Sequence, residues 1–234
     1  MDLVLRDLDV LLTMDDGRDA GPLGLLPDAA VALDGDRVAW IGPSADAPDS
    51  EDVRSLPGCI ALPGLVDAHT HAVWAGSRTD EWEARLRGAA YQDALAEGGG
   101  IHRTVAAVRS ASLDELTSLA TARLNHLASL GCTTIEVKSG YGLHVDAEVA
   151  LLMAAREAGR RASVRVLTTF LGAHVVPKSH VDRRDVYVTD VIDVQLPAVA
   201  ELVDFVDVFV DEGAFTLDEG RRILEAARAR GLGL

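Results

Sequence analysis

Two histidines, His69 and His71, close the run Ala61-Leu62-Pro63-Gly64-Leu65-Val66-Asp67-Ala68-His69-Thr70-His71. A neutral imidazole offers a lone pair to zinc or iron. In a strand, side chains at i and i+2 project to the same face. Both rings would therefore stand together at the C-terminal end of the strand, where parallel α/β layers place their sites. A catalytic zinc generally takes three protein ligands and keeps one position open for water. The pair supplies two. A bare pair with this spacing also occurs in surface turns, but the Pro-Gly start and apolar lead-in favour the strand.

Other residues at predicted strand ends have the right chemistry for a ligand. Arg78 lies seven residues beyond His71. Its planar guanidinium suits bidentate pairing with a carboxylate, although beside Asp80 and Glu81 it also reads as a solvated arginine. Tyr141 sits between Gly140 and Gly142. Glycines let backbone approach a ligand closely, and a phenol donates a hydrogen bond. His174 follows Gly172-Ala173 at the end of a strand. As a lone histidine it more often reads as a satisfied core or rim residue, although an imidazole there could hydrogen-bond a ligand or stabilise developing charge. Lys138 ends another strand and, with Lys178, makes up the chain's lysines. Glu136, Asp211 and Glu212 are strand-end acids without an assigned role. Gly98 to Gly100 is a weak candidate for a phosphate loop, because no G-x-x-x-x-G-K-[ST] pattern accompanies it. His102, His126, His144 and His180 fall in helix or loop contexts and read as surface or structural residues.

These residues stand in longer blocks. Trp74-Ala75-Gly76-Ser77-Arg78-Thr79-Asp80-Glu81 follows the histidine pair. Then come Gly98-Gly99-Gly100-Ile101, Lys138-Ser139-Gly140-Tyr141-Gly142-Leu143, Thr169-Phe170-Leu171-Gly172-Ala173-His174 and Asp211-Glu212-Gly213-Ala214-Phe215. In this order and spacing the chain resembles the imidazolonepropionases, a histidine-degrading family of the amidohydrolase superfamily. The resemblance covers essentially the whole chain. The histidine pair marks only the superfamily, whereas K-S-G-Y-G-L and F-L-G-A-H are far more specific.

The resemblance implies a hydrolase that opens 4-imidazolone-5-propanoate to N-formimino-L-glutamate with a metal-activated water. It implies His69 and His71 as ligands of one divalent ion, Zn or Fe. Arg78, Tyr141 and His174 would bind substrate, and His174 would also act in catalysis. It points to a one-metal arrangement in which Lys138 bridges no second ion. It allows a homodimer of the full-length protein. Other mononuclear amidohydrolases, such as a deaminase or a cyclic-amide hydrolase, are the alternative enzymes. A non-catalytic half-barrel binding protein is the alternative of a different class.

The elements that must hold these residues are legible in outline. Residues 1 to about 60 read as short strands and turns. Leu3-Val4-Leu5 and Val10-Leu11-Leu12 are apolar pieces, and Ala30 to Leu33 and Arg37 to Gly42 flank the hairpin signal Asp34-Gly35-Asp36. The stretch Asp15 to Pro27 reads as irregular. From Leu62 onward strands alternate with helices, the pattern of a parallel α/β layer. Strands are expected at Gly64 to His69, Cys132 to Val137, Val164 to Phe170 and Val206 to Val210. Ser112 with Glu115, and Thr216 with Glu219, look like helix starts. Helices are also expected at 146–159 and 197–202. The fold class is therefore α/β. The expectation is about the first half of an amidohydrolase (β/α)8 barrel over 62–234, preceded by a small β-sandwich portion over 1–61. A complete barrel takes about 250 residues, and Gly231 to Leu234 reads as the lead-in to a fifth strand. The chain is thus expected to be a fragment, or a truncated product that needs a complementary piece.

Composition bounds the rest. The 234 residues are 48% hydrophobic but only 4% aromatic, so the core must be mainly aliphatic. A net charge of −15 argues against nucleic acid and anionic membrane as partners and leaves a small-molecule substrate. No apolar run approaches the roughly 18 residues of a membrane span. The N-terminus lacks a signal-peptide pattern. Cys59 and Cys132 make no disulfide framework and read as buried thiols. A cytoplasmic location is the expectation.

Overall fold

The computed structural model describes residues 1–15, 17, 21–88 and 99–234. Gly98 of the glycine triplet, and Asp16 and 18–20 of the segment expected to be irregular, lie outside the described residues. The chain divides into two compact units, Met1–Gly64 and Leu65–Leu234.

The first unit is a five-stranded mixed sheet in the order β3-β2-β1-β4, with β5 also paired to β1. Its strands are β1 (Leu3–Leu12), β2 (Leu25–Asp34), β3 (Arg37–Pro43), β4 (Val53–Ser55) and β5 (Ile60–Ala61). The two apolar pieces expected near the N-terminus are one strand, interrupted by a bulge. Asp7 takes a positive φ of 59° where the β1–β2 register shifts. Its amide donates to Ser44 Oγ at 2.9 Å, and its carboxylate accepts from Ser55 Oγ at 2.6 Å and Ser44 Oγ at 3.0 Å. These bonds stabilise a conformation that a non-glycine residue rarely adopts. They also hold the Asp7 carboxyl below its usual range, Ser55 contributing most. β2 begins at Leu25, inside the stretch expected to be irregular. Leu8, Leu11, Ala29 and Val31 form this unit's core.

The second unit carries a parallel sheet in the order β6-β7-β8-β9. The strands are β6 (Leu65–Thr70), β7 (Cys132–Lys138), β8 (Arg165–Ala173) and β9 (Phe205–Val208). Parallel crossovers are right-handed, so strands laid down in sequence order place their helices on one face. The opposite face is the inner wall of a half-barrel. Gly233 makes an isolated parallel bridge with Phe205 of β9.

Among the described residues the α-helices are α1 (Thr79–Leu86), α2 (Ile101–Ser110), α3 (Leu113–Ser129), α4 (Val145–Ala162), α5 (Arg184–Asp190), α6 (Leu196–Val199) and α7 (Leu217–Ala229). Ser112 caps α3 by accepting from the Glu115 amide at 3.1 Å. Leu116, Ala120 and Leu124 then fall at helical spacing and are buried, with Ile135 and Val137 of β7 in the same cluster. Thr216 and Glu219 complete a reciprocal capping box at the start of α7. The expected helix at 197–202 belongs to a longer helical run from Arg184 through a π turn at Val191–Gln195. Its Val, Ile and Thr content speaks for strand, but Tyr187, Val188, Val191, Leu196 and Val199 bury one helical face, and packing overrides propensity. The expectation of two buried thiols fails, because Cys59 is exposed and Cys132 only partly buried. Cys59 follows the turn at Pro57-Gly58 and Cys132 is the first residue of β7, so apolar neighbours marked strand but not depth. No helix among the described residues is long and apolar enough to cross a membrane.

Leu124 is fully buried between α3 and the sheet. Leu124→Ala should destabilise the protein by about 2–5 kcal/mol through lost contacts and a residual cavity, read as a lower denaturation midpoint. A loss below about 1 kcal/mol would show that this interface is not close-packed.

Candidate functional site

The histidine pair is aimed by an irregularity in β6. The β6–β7 register runs Asp67 beside Ile135 and then Thr70 beside Val137, so β6 carries one extra residue. Such a bulge re-aims the side chains that follow it. With Thr70 on the Val137 side, His69 and His71 project to the other face, that of Glu136 and Lys138. Thr70 Oγ1 fixes the join by donating to the Glu136 carbonyl at 2.7 Å.

Four rings meet there. The His69 and His71 centroids are 5.8 Å apart, edge to face. His71 stacks on His174 at 4.8 Å with an interplanar angle of 11°. Tyr141 lies 4.9 Å from His71 and 5.5 Å from His174. His71 Nδ1 is buried and has no hydrogen-bonding partner among the described residues. Burial, then His174, His69 and Lys138, push the His71 pKa down to about 3. At neutral pH it is an uncharged imidazole, the form that binds a metal ion. His174 Nδ1 lies 3.1 Å from the Gly140 carbonyl. A carbonyl only accepts, so Nδ1 carries the proton and Nε2 keeps a lone pair. Burial lowers the pKa of His174 as well.

Beneath the rings the inner face carries a charged cluster. Lys138 Nζ lies 2.6 Å from Glu136 Oε1 and 3.0 Å from Asp207 Oδ2, and Thr169 Oγ1 donates to Glu136 at 2.5 Å. Burial works to lower the lysine pKa, but the bonds to Glu136 and Asp207 outweigh it and the pKa rises. Lys138 is thus an ammonium held by two carboxylates.

Tyr141 is carried by a loop tied on all sides. Glu148, fully buried in the first turn of α4, accepts from the amides of Gly140 at 3.0 Å, Gly142 at 2.8 Å and Leu143 at 2.7 Å. Burial raises its carboxyl pKa, while the hydrogen bonds from Ser139 and the loop pull the other way. Arg109 donates to the carbonyls of Gly142 at 2.7 Å and Leu143 at 3.0 Å. Both glycines are required. A Cβ on Gly140 would lie 2.7 Å from the Leu171 carbonyl oxygen, and one on Gly142 2.6 Å from the Glu148 amide nitrogen.

Beside the rings lies a cavity of about 430 Å³ whose lining includes Trp74, Arg78, Trp82, Arg103 and Tyr141. Arg78 Nε donates to Glu81 Oε2 at 2.8 Å, and Glu81 also accepts from the Gly100 amide at 3.1 Å. The structure thus brings His69, His71, Tyr141 and His174 into one cluster and places Arg78 on a cavity shared with Tyr141. Asp211 and Glu212 are exposed in the turn after β9. Glu148, Arg109, Glu81 and Asp207 are the residues that sequence reasoning passed over. Glu148 had a signal, since an acid interrupts the apolar stripe that Leu151, Leu152 and Ala155 continue. Among the described residues no three His, Cys, Asp or Glu side chains are grouped to hold a metal ion.

No protein-family model matches the chain. It is 47% identical to the imidazolonepropionase of Shewanella loihica over 96% of its own length and 57% of the relative's. It is 48% identical to that of Shewanella sediminis, over 91% of this chain and 54% of the relative. The chain thus spans little more than half the length of these relatives, and it matches their N-terminal part. Among solved structures it is similar to a 5-methylcytosine deaminase from Klebsiella pneumoniae, with a TM-score of 0.64 and 14% identity over 98% of this chain and 49% of that one. It is also similar to an atrazine chlorohydrolase mutant from Arthrobacter aurescens complexed with zinc and atraton, with a TM-score of 0.58 and 19% identity over 98% and 50%.

One prediction follows from the ring cluster. The unfolded chain protonates His71 near 6.5 and the folded chain only near 3. Between those values the unfolded state binds more protons, so stability falls as pH falls. His174 and His102 shift in the same direction. In metal-free protein, His71→Phe should flatten part of the fall in denaturation midpoint between about pH 6.5 and 4. An unchanged slope would mean that His71 is not held neutral.

Proposed function

We propose that this chain, whose fold is that of the amidohydrolase superfamily, is the N-terminal part of an imidazolonepropionase. The reaction adds water to the ring carbonyl of 4-imidazolone-5-propanoate. The new bond joins the water oxygen to the carbonyl carbon, and the bond from that carbon to the adjacent ring nitrogen breaks. The nitrogen takes a proton and becomes the terminal nitrogen of the formimino group, which stays bonded to the chain through the other ring nitrogen, giving N-formimino-L-glutamate. The observation that carries this reading is the meeting of His69, His71, Tyr141 and His174 beside a cavity that Arg78 borders.

His69 and His71 would hold one divalent ion, Zn or Fe. The fit rests on a buried His71 nitrogen without a hydrogen-bonding partner, on a ring that is neutral at physiological pH, and on two imidazoles sharing a face. When bound, such an ion lowers the pKa of its water to near 7. The chain's own residues supply the rest. His174, with its proton at Nδ1, presents Nε2 as an acceptor for a ring N–H of the substrate. That favours ring binding over direct stabilisation of a developing anion, which would need a donor. Tyr141 borders the same space with a phenol that can donate. Arg78, steadied through Nε by Glu81, suits the propanoate.

Two experiments test this in the protein expressed from its complete reading frame. Arg78→Lys keeps the charge but loses the planar fork. It should weaken substrate binding by about 1–3 kcal/mol, the range for charge-assisted hydrogen bonds, seen as a higher KM. An unchanged KM removes Arg78 from the site, and equal turnover of uncharged imidazolones removes the propanoate assignment. The His69→Ala/His71→Ala double variant should lose both bound metal and ring opening. Retention of a tight metal equivalent would overturn the ligand assignment.

A further inference from the structure

The loop between β7 and α4 is bound more thoroughly than a surface turn requires. Three of its amides, those of Gly140, Gly142 and Leu143, converge on one carboxylate, Glu148, which has no solvent exposure. Two of its carbonyls take the Arg109 guanidinium. A third, that of Gly140, takes the Nδ1 proton of His174. Ser139, just before the loop, donates its amide to the Thr169 carbonyl at 2.9 Å. The residue enclosed by these anchors is Tyr141, and the side chain hung from them is His174. Burying a carboxylate costs free energy unless its lone pairs are matched. Here they are matched by three loop amides together with Ser139, so the orientation of the loop and the position of the acid fix each other. A hydrophobic side chain at 148 would fill the space but leave three buried amides unmatched.

We infer that Glu148 is the positioning residue of this site, holding Tyr141 against His71 and fixing the proton of His174 on Nδ1 by presenting the Gly140 carbonyl to it. The inference rests on the reading that Tyr141 and His174 hold substrate only for its effect on binding. Its effect on the His174 proton is independent of that reading. Glu148→Gln tests it, because the carboxamide keeps the size of the acid but turns N–H groups toward at least one loop amide. The loop should then release, and Gly140 should turn from His174.

Two measurements read this in the protein from its complete reading frame. Nitrogen-15 spectra of labelled histidine report which ring nitrogen of His174 carries the proton. Calorimetric titration with 3-(imidazol-4-yl)propanoate, an unreactive probe carrying the ring and the carboxylate, reports binding. For Glu148→Gln the expected result is a mixture of His174 tautomers and at least about tenfold weaker probe binding, the scale of one lost hydrogen bond, with circular dichroism unchanged. A folded variant with His174 still protonated on Nδ1 and with unchanged probe affinity would overturn the inference. If Glu148→Gln does not fold, Glu148→Asp decides. The shorter acid keeps the charge but cannot reach all three amides, so tautomer mixing and weaker binding are expected in smaller degree, and a folded variant with neither overturns the inference. If the parent protein fails to bind the probe, the substrate reading falls, and the tautomer measurement alone decides the role of Glu148.

Discussion

A parallel sheet wound in one direction has one face covered by its helices and one that the helices never reach. The rest of this unit is an answer to that constraint. The helix side is closed with Ile135, Val137, Phe170 and Val206, packed on aliphatic and small residues of the helices. The other side carries Glu136, Lys138, Thr169 and Asp207, a set of charges and a hydroxyl that satisfy one another. A lysine ammonium between two carboxylates is tolerable in a poorly solvated place because each group has a matched partner. It also sets the electrostatics above it. A fixed positive charge beneath His71 disfavours a second one and adds to burial in keeping that ring neutral.

The rings themselves depend on backbone devices. The bulge in β6 puts both histidines on the charged face. The buried Glu148 and the solvent-exposed Arg109 hold the Tyr141 loop from its amide and carbonyl sides, and the loop in turn orients His174 through a carbonyl. Most of this precision comes from main-chain atoms, with side chains acting as their partners. Such an arrangement tolerates few substitutions at Gly140 and Gly142, where a single methyl group would strike backbone.

The sequence made some of this legible. The alternation of strands and helices after Leu62 and the caps at Ser112 and Thr216 could be read from local chemistry, because periodicity and capping act over a few residues. The histidine pair could be read as two rings on one face, although the bulge that secures this left no mark in the run. The helical segment from Arg184 was hidden by its β-branched residues, whose helical face becomes apparent only against the core. Asp7 concealed the continuity of β1, because a bulge interrupts the alternation by which a strand is recognised. Glu148 and Arg109 escaped because their partners are backbone groups, which look the same at every position in a sequence. Glu81 was quoted within a motif, but its bond to the Gly100 amide joins segments nineteen residues apart.

The capping box at the start of α7 does more than end-fill a helix. Glu219 closes the box with Thr216 and at the same time takes Arg184 at 2.8 Å, and Arg184 reaches on to the Ala214 carbonyl at 2.7 Å. Arg222 of α7 returns the connection to Asp185 at 2.7 Å. The first turns of α5 and α7 and the bend after β9 are therefore knotted at one carboxylate. Unravelling any one of them strips partners from the other two. In the vocabulary of native-state hydrogen exchange they form a single cooperative unit, whose amides would open together and not by fraying one helix end at a time.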